Sequence, residues 1–271
     1  MYTEYAPSFP LSSYIDNYWE FKGAPPQGTR IRILPDGCTD FIFTLGEPAN
    51  VAGGALSMQP YRSYFVGPMT KYATLVTHTD TVHMLGIRFL PCGVLRFGAL
   101  PLHQLADTRL PAADLSLFFN DSLADALAEQ PGIAQRIALI EKRLLFYLQH
   151  HPIEMERAIG YAVAQIDRHQ GLLPIGRLAS EINLCERQLE RKFKQHTGFT
   201  PKAYSRIVQF RKASELLRAG SFDNLLSIAI EAGYYDVSHL SREIKKMSGG
   251  TPLSFLAAMP ADEMALTYVT V

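Results

Sequence analysis

The sequence of 271 residues predicts an α+β chain of two domains, a β-rich N-terminal domain followed by an all-α C-terminal domain. Three observations predict this architecture. Apolar and polar residues alternate over much of the first hundred positions, as they do in half-buried strands. From Ile133 onward, apolar residues recur every three or four positions, which is the period of a helix. Within the helical part, residues 189–201 nearly repeat as residues 240–252.

The N-terminal domain is predicted over residues 1–130, with a barrel-like closure of its strands as one arrangement. In RIRILPDGCTDFIFTLGE, the turn sequence Pro35-Asp36-Gly37 separates two strand-like runs and predicts a β-hairpin. The stretch SSYIDNYWEF fits either a short helix or an edge strand. Runs rich in β-branched and aromatic residues, SYFVGP and THTDTVHMLGIRFLP, predict further strands.

A connecting helix is predicted over residues 131–152. Its apolar stripe consists of Ile133, Ile137, Ile140, Leu144 and Tyr147. Two partners suit such a stripe: a twin helix in a homodimer, or the chain's own β-rich domain. The sequence leaves both alternatives open.

The helical domain is predicted over residues 153–258, followed by a tail, residues 259–271, whose MALTYVTV run fits a strand. The repeat reads LERKFKQHTGFTP and then LSREIKKMSGGTP, which aligns Leu189 with Leu240 and Phe193 with Ile244. Apolar residues four positions apart share the inner face of a helix. The glycine of each copy suits a left-handed helix end, and Thr-Pro suits the start of the next helix. Each copy is therefore predicted to be a helix, a turn and a second helix.

The outer face of each second helix is polar and carries the predicted DNA-contacting residues. Basic, amide and hydroxyl side chains donate hydrogen bonds to base edges and phosphates. A helix, a turn and a second helix with such a face form the helix-turn-helix pattern, whose second helix enters the major groove of double-stranded DNA. The predicted residues are Arg187, Gln188, Glu190, Arg191 and Lys194 in the first copy, and Ser238, His239, Ser241, Arg242 and Lys245 in the second.

The distribution of charge also favours a polyanion as partner of the helical domain. The formal net charge of the chain is zero, yet residues 171–250 hold 13 Lys and Arg against 8 Asp and Glu. The rest of the chain holds 13 basic residues against 18 acidic ones. This asymmetry indicates one domain that binds nucleic acid and another that does not.

Residues 165–258 resemble the DNA-binding domain of the AraC family of transcription regulators. The resemblance rests on IGRLASEINLCERQLERKFKQHTGFTPKAYSRIVQFRKASELL and IAIEAGYYDVSHLSREIKKMSGGTP. It implies two helix-turn-helix units joined by a long helix, Pro201–Ala219, with reading helices that begin near Glu186 and Val237. These helices would contact successive major grooves about 34 Å apart. It further implies a sequence-specific activator or repressor with no catalytic residues and no cofactor, for which RNA polymerase is a candidate partner.

Three residues depart from the pattern of that family. Val237 replaces a frequent polar residue at the start of the second reading helix, and Ile244 replaces an aromatic one. Glu190 is acidic on a face that meets DNA, so it accepts from cytosine, pairs with Lys194 or repels phosphate. We therefore expect most of the sequence specificity from the first copy. The alternative function is a ligand- or partner-binding protein whose helical domain has weak or no affinity for DNA.

The first 110 residues look like the N-terminal domain of one branch of that family, which implies a sensory module for a small-molecule effector. The candidate ligand-binding residues are Trp19, Arg32, Asp36 and His78, although turn or core roles would also explain each of them. An enzyme alternative arises from Cys38, since some members of the family carry a cysteine that accepts alkyl groups. Acidic neighbours oppose a thiolate there, and no zinc-ligand cysteines accompany it. No nucleophile elbow or phosphate loop is found, and THTDTVH lacks the His-x-His metal pattern, so the sequence predicts neither an enzyme nor a metal site.

The sequence also predicts where the protein resides. Its N-terminus lacks the basic and apolar regions of a signal peptide, and no apolar run approaches the ~18 residues of a membrane-spanning helix. The three cysteines, Cys38, Cys92 and Cys185, are far apart and match no zinc spacing. We therefore expect reduced thiols, no membrane partner and a cytoplasmic location.

Overall fold

The computed structural model describes residues 2–24, 30–46, 49–51, 57–77, 81–115, 118–151, 156–220, 224–258 and 268–270. Within them, strands occupy the N-terminal part and helices the C-terminal part, as predicted. The strands are β1 (Tyr2–Tyr5), β2 (Ile15–Gly23), β3 (Arg30–Ile33), β4 (Thr39–Thr44), β5 (Ala49–Val51), β6 (Ser57–Met58), β7 (Ser63–Val66), β8 (Ala73–Thr77), β9 (Val82–Phe89), β10 (Arg109–Pro111) and β11 (Tyr268–Thr270).

The strands form two antiparallel sheets. One sheet has the order β1-β2-β9-β4-β7-β10, and the other has the order β11-β3-β8-β5-β6. Both sheets are open over the described residues, so the β-rich N-terminal fold is confirmed without closure into a single barrel. Within the stretch SSYIDNYWEF, residues 15–21 belong to β2, which confirms the strand alternative. The predicted edge position is wrong, because β2 pairs on one side with β1 and on the other with β9.

The predicted hairpin at Pro35-Asp36-Gly37 is wrong. Strand β3 pairs with β8 and β11, whereas β4 pairs with β7 and β9 in the other sheet. The turn itself forms, with Gly37 at a φ of +92°. Leu34, just before the turn, is buried in the core of the helical part. The turn therefore leads from a strand of one sheet to a strand of the other.

The helices begin and end largely as the sequence predicts. The joining helix runs from Pro201 to Ala219, and the two reading helices begin at Glu186 and Val237. Among the described residues, no helix is long and apolar enough to cross a lipid bilayer. The helices are α1 (Asp121–Ala128), α2 (Ile133–His150), α3 (Arg157–Arg168), α4 (Ile175–Glu181), α5 (Glu186–Thr197), α6 (Pro201–Ala219), α7 (Leu225–Glu231), α8 (Val237–Ser248) and α9 (Pro252–Ala258).

The connecting helix, α2, packs against the β-rich part of its own chain. Ile140 and Leu144 are fully buried in a cluster with Phe41 and Phe119, and the rest of the predicted stripe is partly buried against the same cluster. Of the two alternatives, the stripe therefore takes the second, packing on the chain's own β domain. A dimer would have to use a different side of α2.

The helical part has one hydrophobic core that both copies share. Most of the core residues come from the segment α3 through α9, and Leu34 and Cys92 of the N-terminal part join them. Ile207, Phe210 and Leu217 place the joining helix α6 at the centre of this core. Complete burial of an aliphatic or aromatic side chain contributes roughly 1.5 to 3 kcal/mol. Because both copies pack on the same helix, we expect the helical part to unfold as a unit.

The tail returns to the N-terminal sheet. Residues Tyr268–Thr270 form β11, which pairs antiparallel with β3 at the edge of the five-stranded sheet. The strand character of MALTYVTV is therefore confirmed for these three residues. The chain thus contacts its N-terminal part again after the last helix.

Candidate nucleic-acid interface

The inner residues of the two reading helices, α5 and α8, hold both helices in the core. Leu189 and Phe193 in α5 are fully buried, as are Leu240 and Ile244 in α8. Burial at this spacing fixes which side of each helix faces outward. The outward sides are those that the sequence analysis assigned to DNA.

All five predicted residues of the first reading helix are exposed: Arg187, Gln188, Glu190, Arg191 and Lys194. Gln188 also has a structural role, since its Oε1 accepts from the backbone N–H of Cys185 at 3.1 Å. This contact is one half of a capping box at the start of α5. Over the described residues, Glu190 forms no ion pair with Lys194, which leaves its carboxylate facing solvent.

The second reading helix presents fewer free groups. Ser238, Arg242 and Lys245 are exposed, whereas His239 and Ser241 are half-buried. The His239 ring packs edge-on against Tyr234, and its Nδ1 accepts from a backbone N–H in the preceding turn at 3.4 Å. His239 therefore supports the turn before α8, and its remaining capacity for DNA is reduced.

Each reading helix is capped at its start. The Asp236 side chain accepts from the backbone N–H of His239 at 2.6 Å. In α5, the cap position is taken by Cys185, whose sulfur is a weaker acceptor than a carboxylate. Both helices end at a left-handed glycine, Gly198 at a φ of +80° and Gly249 at +79°, as predicted.

These two glycines also contact the N-terminal part. A Cβ at Gly198 would lie 2.5 Å from Pro68 Cγ, and a Cβ at Gly249 would lie 2.6 Å from the Tyr72 ring. Such distances are too short for any side chain. Pro68 and Tyr72 lie in the single loop between β7 and β8. One loop of the N-terminal part therefore contacts the equivalent end of both reading helices.

Arg32, a candidate ligand-binding residue, lies at the same junction. Its Nη1 donates to the backbone oxygen of Ser248 at 3.1 Å, and its guanidinium lies 5.3 Å from the centre of the Tyr72 ring. A cation above an aromatic ring is attracted by the electron density of its face. Arg32 thus binds the end of α8 instead of lining a pocket.

Two of the other candidates belong to a buried cluster around Arg88. Trp19 Nε1 donates to Asp40 Oδ1 at 2.7 Å. Arg88 Nε lies 3.2 Å from Asp40 Oδ1 and 3.3 Å from Asp36 Oδ2. Burial, which the Arg88 charge opposes, raises the pKa of Asp40 to about 6. Trp19 and Asp36 are therefore close together, whereas His78 lies outside the described residues.

The cysteine considered for alkyl transfer also lies beside this cluster. Burial, with the neighbouring Asp36 charge, raises the pKa of Cys38 well above its ordinary value. A thiol in this environment stays protonated at neutral pH and is a poor nucleophile. Over the described residues, no group of three or more His, Cys, Asp or Glu side chains is arranged to hold a metal ion.

The second unit has an exposed apolar face that was not predicted from the sequence. Leu226 and Ile230 on α7 are 48% and 64% exposed, and Tyr235 in the following turn is 89% exposed. Sliding the sequence by fifty positions places Gly176 and Ser180 of α4 opposite the two aliphatic residues. That alignment would have revealed the difference, because only the second unit has large apolar side chains there.

Two family models match the chain. A domain of unknown function, DUF6597, matches residues 3–111, and a helix-turn-helix domain matches residues 178–258. The transcriptional activator RhaS of Escherichia fergusonii is 37% identical over 225 residues, which cover 76% of this chain and 77% of RhaS. RhaS of Salmonella dublin is 35% identical over 239 residues, covering 81% and 82%.

A solved structure with the same overall fold is ToxT from Vibrio cholerae. It superposes with a TM-score of 0.52 at 10% identity and covers 89% of this chain and 98% of ToxT. A second ToxT structure, with a TM-score of 0.50, contains (E)-4-(8-methylnaphthalen-1-yl)but-3-enoic acid. At this level of identity the likeness concerns the fold, in which a β-rich part precedes a helical part.

Proposed function

Given that the chain belongs to the AraC family of DNA-binding transcription regulators, we propose that its two reading helices bind successive major grooves on one face of its operator. The observation that supports this proposal best is the pair of outward polar faces on α5 and α8, two helices that the fold holds in equivalent positions. In the proposed arrangement, base edges are read by these faces. We further propose that the N-terminal part, which the DUF6597 model matches over residues 3–111, is its regulatory domain.

The joining helix supports the proposed spacing. α6 has 19 residues, which at 1.5 Å per residue give a length of about 28 Å. Successive major grooves on one face of B-DNA are about 34 Å apart. A buried helix of this length is a suitable rigid spacer between two reading helices, and insertion of both into the DNA requires such rigidity.

The first unit carries most of the proposed specificity. Arg187, Gln188 and Arg191 supply guanidinium and amide groups that match guanine and adenine edges. Lys194 supplies a charge for the phosphate backbone, as Lys245 does in the second unit. In the second unit, Arg242 is the main candidate for a base contact, because it is exposed and the ring of His239 is engaged in the turn.

The further partners are also proposals. A small-molecule effector is proposed for the N-terminal part, and RNA polymerase for the exposed apolar face of α7. A homodimer through α2 would use its outer side, where Phe146 is 62% exposed, because the predicted stripe is covered. A cytoplasmic location suits all three partners.

The domain limits given by the sequence are retained as a proposal. In it, residues 1–130 form the regulatory domain, 131–152 the connecting helix, 153–258 the DNA-binding domain and 259–271 the tail.

The test is selection from a random duplex pool by the purified full chain, repeated at several salt concentrations. We expect enrichment of two short sequence blocks separated by about ten base pairs, which is one helical turn. The matched control is Lys142→Ala on the exposed side of α2, which removes one charge outside the two reading helices and should select the same motif. Retention without a motif would indicate electrostatic attachment alone. No retention at any salt concentration would favour the alternative of a ligand- or partner-binding protein.

A further inference from the structure

A cleft of about 670 Å³ lies between the N-terminal part and the first helix-turn-helix unit. One wall is formed by residues 92–103, which follow β9 and include a 3₁₀ turn. The opposite wall comes from the start of α3 and the last turn of α5. None of the lining residues belongs to the polar faces proposed to contact DNA.

The floor of the cleft is apolar. Cys92, Leu100 and Ile159 are buried beneath it, and Leu95 is half-buried at its side. Clefts of roughly 300 to 1,000 Å³ with apolar floors are typical small-molecule sites. The floor suits an aromatic or aliphatic body that leaves water on binding.

One carboxylate provides the formal charge of the lining. With the histidines neutral, Glu156 is the only charged side chain among the residues that line the cleft. Lys192 Nζ donates to Glu156 Oε1 at 2.5 Å. The other oxygen, Oε2, lies 3.8 Å from His196 Nε2, beyond hydrogen-bonding distance. Oε2 is therefore the carboxylate oxygen available to a bound molecule.

His196 Nε2 is a second polar atom beside Glu156 Oε2. Nδ1 lies 2.8 Å from the backbone oxygen of Lys192, and because a carbonyl oxygen only accepts, Nδ1 carries a proton. When the ring is neutral, its lone pair is therefore on Nε2. Oε2 and Nε2 are 3.8 Å apart, so an ammonium group, which has three N–H donors, can lie beside the two atoms and donate to both.

The end of α5 adds a further preference for positive charge. Gln195 and His196 line the cleft from the last turn of this helix. The C-terminal end of a helix carries partial negative charge and stabilises nearby cations. The helix end and Glu156 therefore favour the same sign of ligand.

We propose that this cleft binds a small amphipathic amine, whose ammonium group donates to Glu156 Oε2 and His196 Nε2 while its apolar body covers Leu95, Leu100 and Ile159. Because the last turn of α5 forms part of the wall, the bound amine contacts the first reading helix directly. The consequence for operator binding rests on the proposed function. The binding site itself does not.

The test is isothermal titration calorimetry of the full chain with three matched probes: phenylbutylamine, phenylbutanol and phenylbutyric acid. We expect the amine to bind about tenfold more tightly than the alcohol, because its hydrogen bond to Glu156 is charge-assisted. The acid should bind most weakly. The same titrations with and without the selected operator, followed by operator binding with and without the amine, measure the coupling to α5.

Two variants locate the site, and a third serves as control. Glu156→Gln should weaken amine binding about tenfold and leave alcohol binding unchanged, since it keeps the shape of the side chain and removes its charge, together with the ion pair to Lys192. Ala99→Trp, at an exposed position of the lining, should fill the cleft and abolish binding of both probes. Glu181→Gln removes a carboxylate of α4, outside the cleft, and should change nothing. Thermal unfolding of each variant checks that it is folded. If Glu156→Gln does not fold, Ala99→Trp alone tests whether the probes bind in the cleft.

Lack of amine binding, tighter binding of the acid, or amine binding that survives Ala99→Trp would overturn this proposal. If the amine binds as expected but no operator is retained, the cleft stands and the proposed function fails. If the operator is bound but the amine is not, the proposed function stands and the cleft proposal fails.

Discussion

The two helix-turn-helix units share their buried residues and differ on their surfaces. In both, two apolar side chains four positions apart hold the reading helix in the common core. Both reading helices end at a glycine with a φ close to +80°, in contact with the same loop of the N-terminal part. The scaffold is therefore nearly the same in the two units, and differences in DNA binding must come from the exposed residues.

The exposed residues point to unequal roles. The first reading helix offers two exposed arginines, Arg187 and Arg191, whereas the second offers Arg242 and a histidine that is engaged in its own turn. On the preceding helix, the second unit has Leu226 and Ile230 where the first has smaller residues. A repeat can thus keep one set of core contacts while the exposed side chains of its two copies diverge.

The largest expected effect tests the shared core. Phe193→Ala should lower the free energy of unfolding by about 3 to 5 kcal/mol and Ile244→Ala by about 2 to 5 kcal/mol, because each leaves a cavity in the common cluster. Urea denaturation should show one cooperative transition of the helical part in both variants. The control, Leu253→Ala, removes a side chain that is 69% exposed and should change stability by less than about 0.5 kcal/mol. Two separate unfolding transitions, only one of which is shifted by each substitution, would show that the two units have separate cores.

The next effect tests the unequal faces. Arg191→Ala should weaken binding to the selected operator by about 1 to 3 kcal/mol and relax specificity at one base pair. Arg242→Ala should cost less, because the second face offers fewer free donors. Fluorescence anisotropy titrations measure both, with Lys142→Ala as the control of equal charge change. Equal losses for the two arginines would contradict the assignment of specificity to the first unit.

A smaller effect separates the two helix caps. Asp236→Ala removes a carboxylate that accepts at 2.6 Å from the start of α8 and should destabilise the chain by about 1 kcal/mol. Cys185→Ala should cost less, since sulfur is a weak acceptor and Gln188 still supplies its half of the capping box. Thermal unfolding at low and moderate salt compares them. A larger loss of stability for Cys185→Ala than for Asp236→Ala would contradict this ranking of the two caps.

The smallest effect concerns the phosphate backbone. Lys194→Ala and Lys245→Ala should each reduce the slope of log K against log salt by about 1, uniformly across DNA sequences. Titrations of operator and unrelated duplex between low and physiological salt give the slopes. A variant that keeps the full slope would show that the substituted lysine does not contact the phosphate backbone.

The elements that local sequence determines were predicted well. The reading helices and the joining helix begin and end where expected, because Thr-Pro and the left-handed glycine act within a few residues of the helix end. The hairpin prediction at Gly37 failed for the opposite reason. The turn is local, but β3 and β4 pair with strands elsewhere in the chain, and Leu34 packs into a core built more than a hundred residues later.

The residues of the candidate site also fall into those that local sequence predicts and those that depend on contacts between distant parts of the chain. The polar faces follow from helical spacing, so all five predicted residues of α5 lie outward. The partner of Arg32 could not be found from the sequence, because Ser248 approaches it only through the packing of the helical part on the N-terminal part. The engagement of His239 was missed because a ring hydrogen bond to a nearby turn leaves no periodic pattern.

We propose that the two reading helices insert together into successive grooves on one face of DNA. The most direct test is the affinity of the full chain for its selected operator with and without an insertion of about five base pairs, half a turn, between the two blocks. We expect the insertion to lower the affinity close to that for an operator with only the first block, because α6 cannot extend to the opposite face. Unchanged affinity after the insertion would contradict simultaneous binding by the two helices.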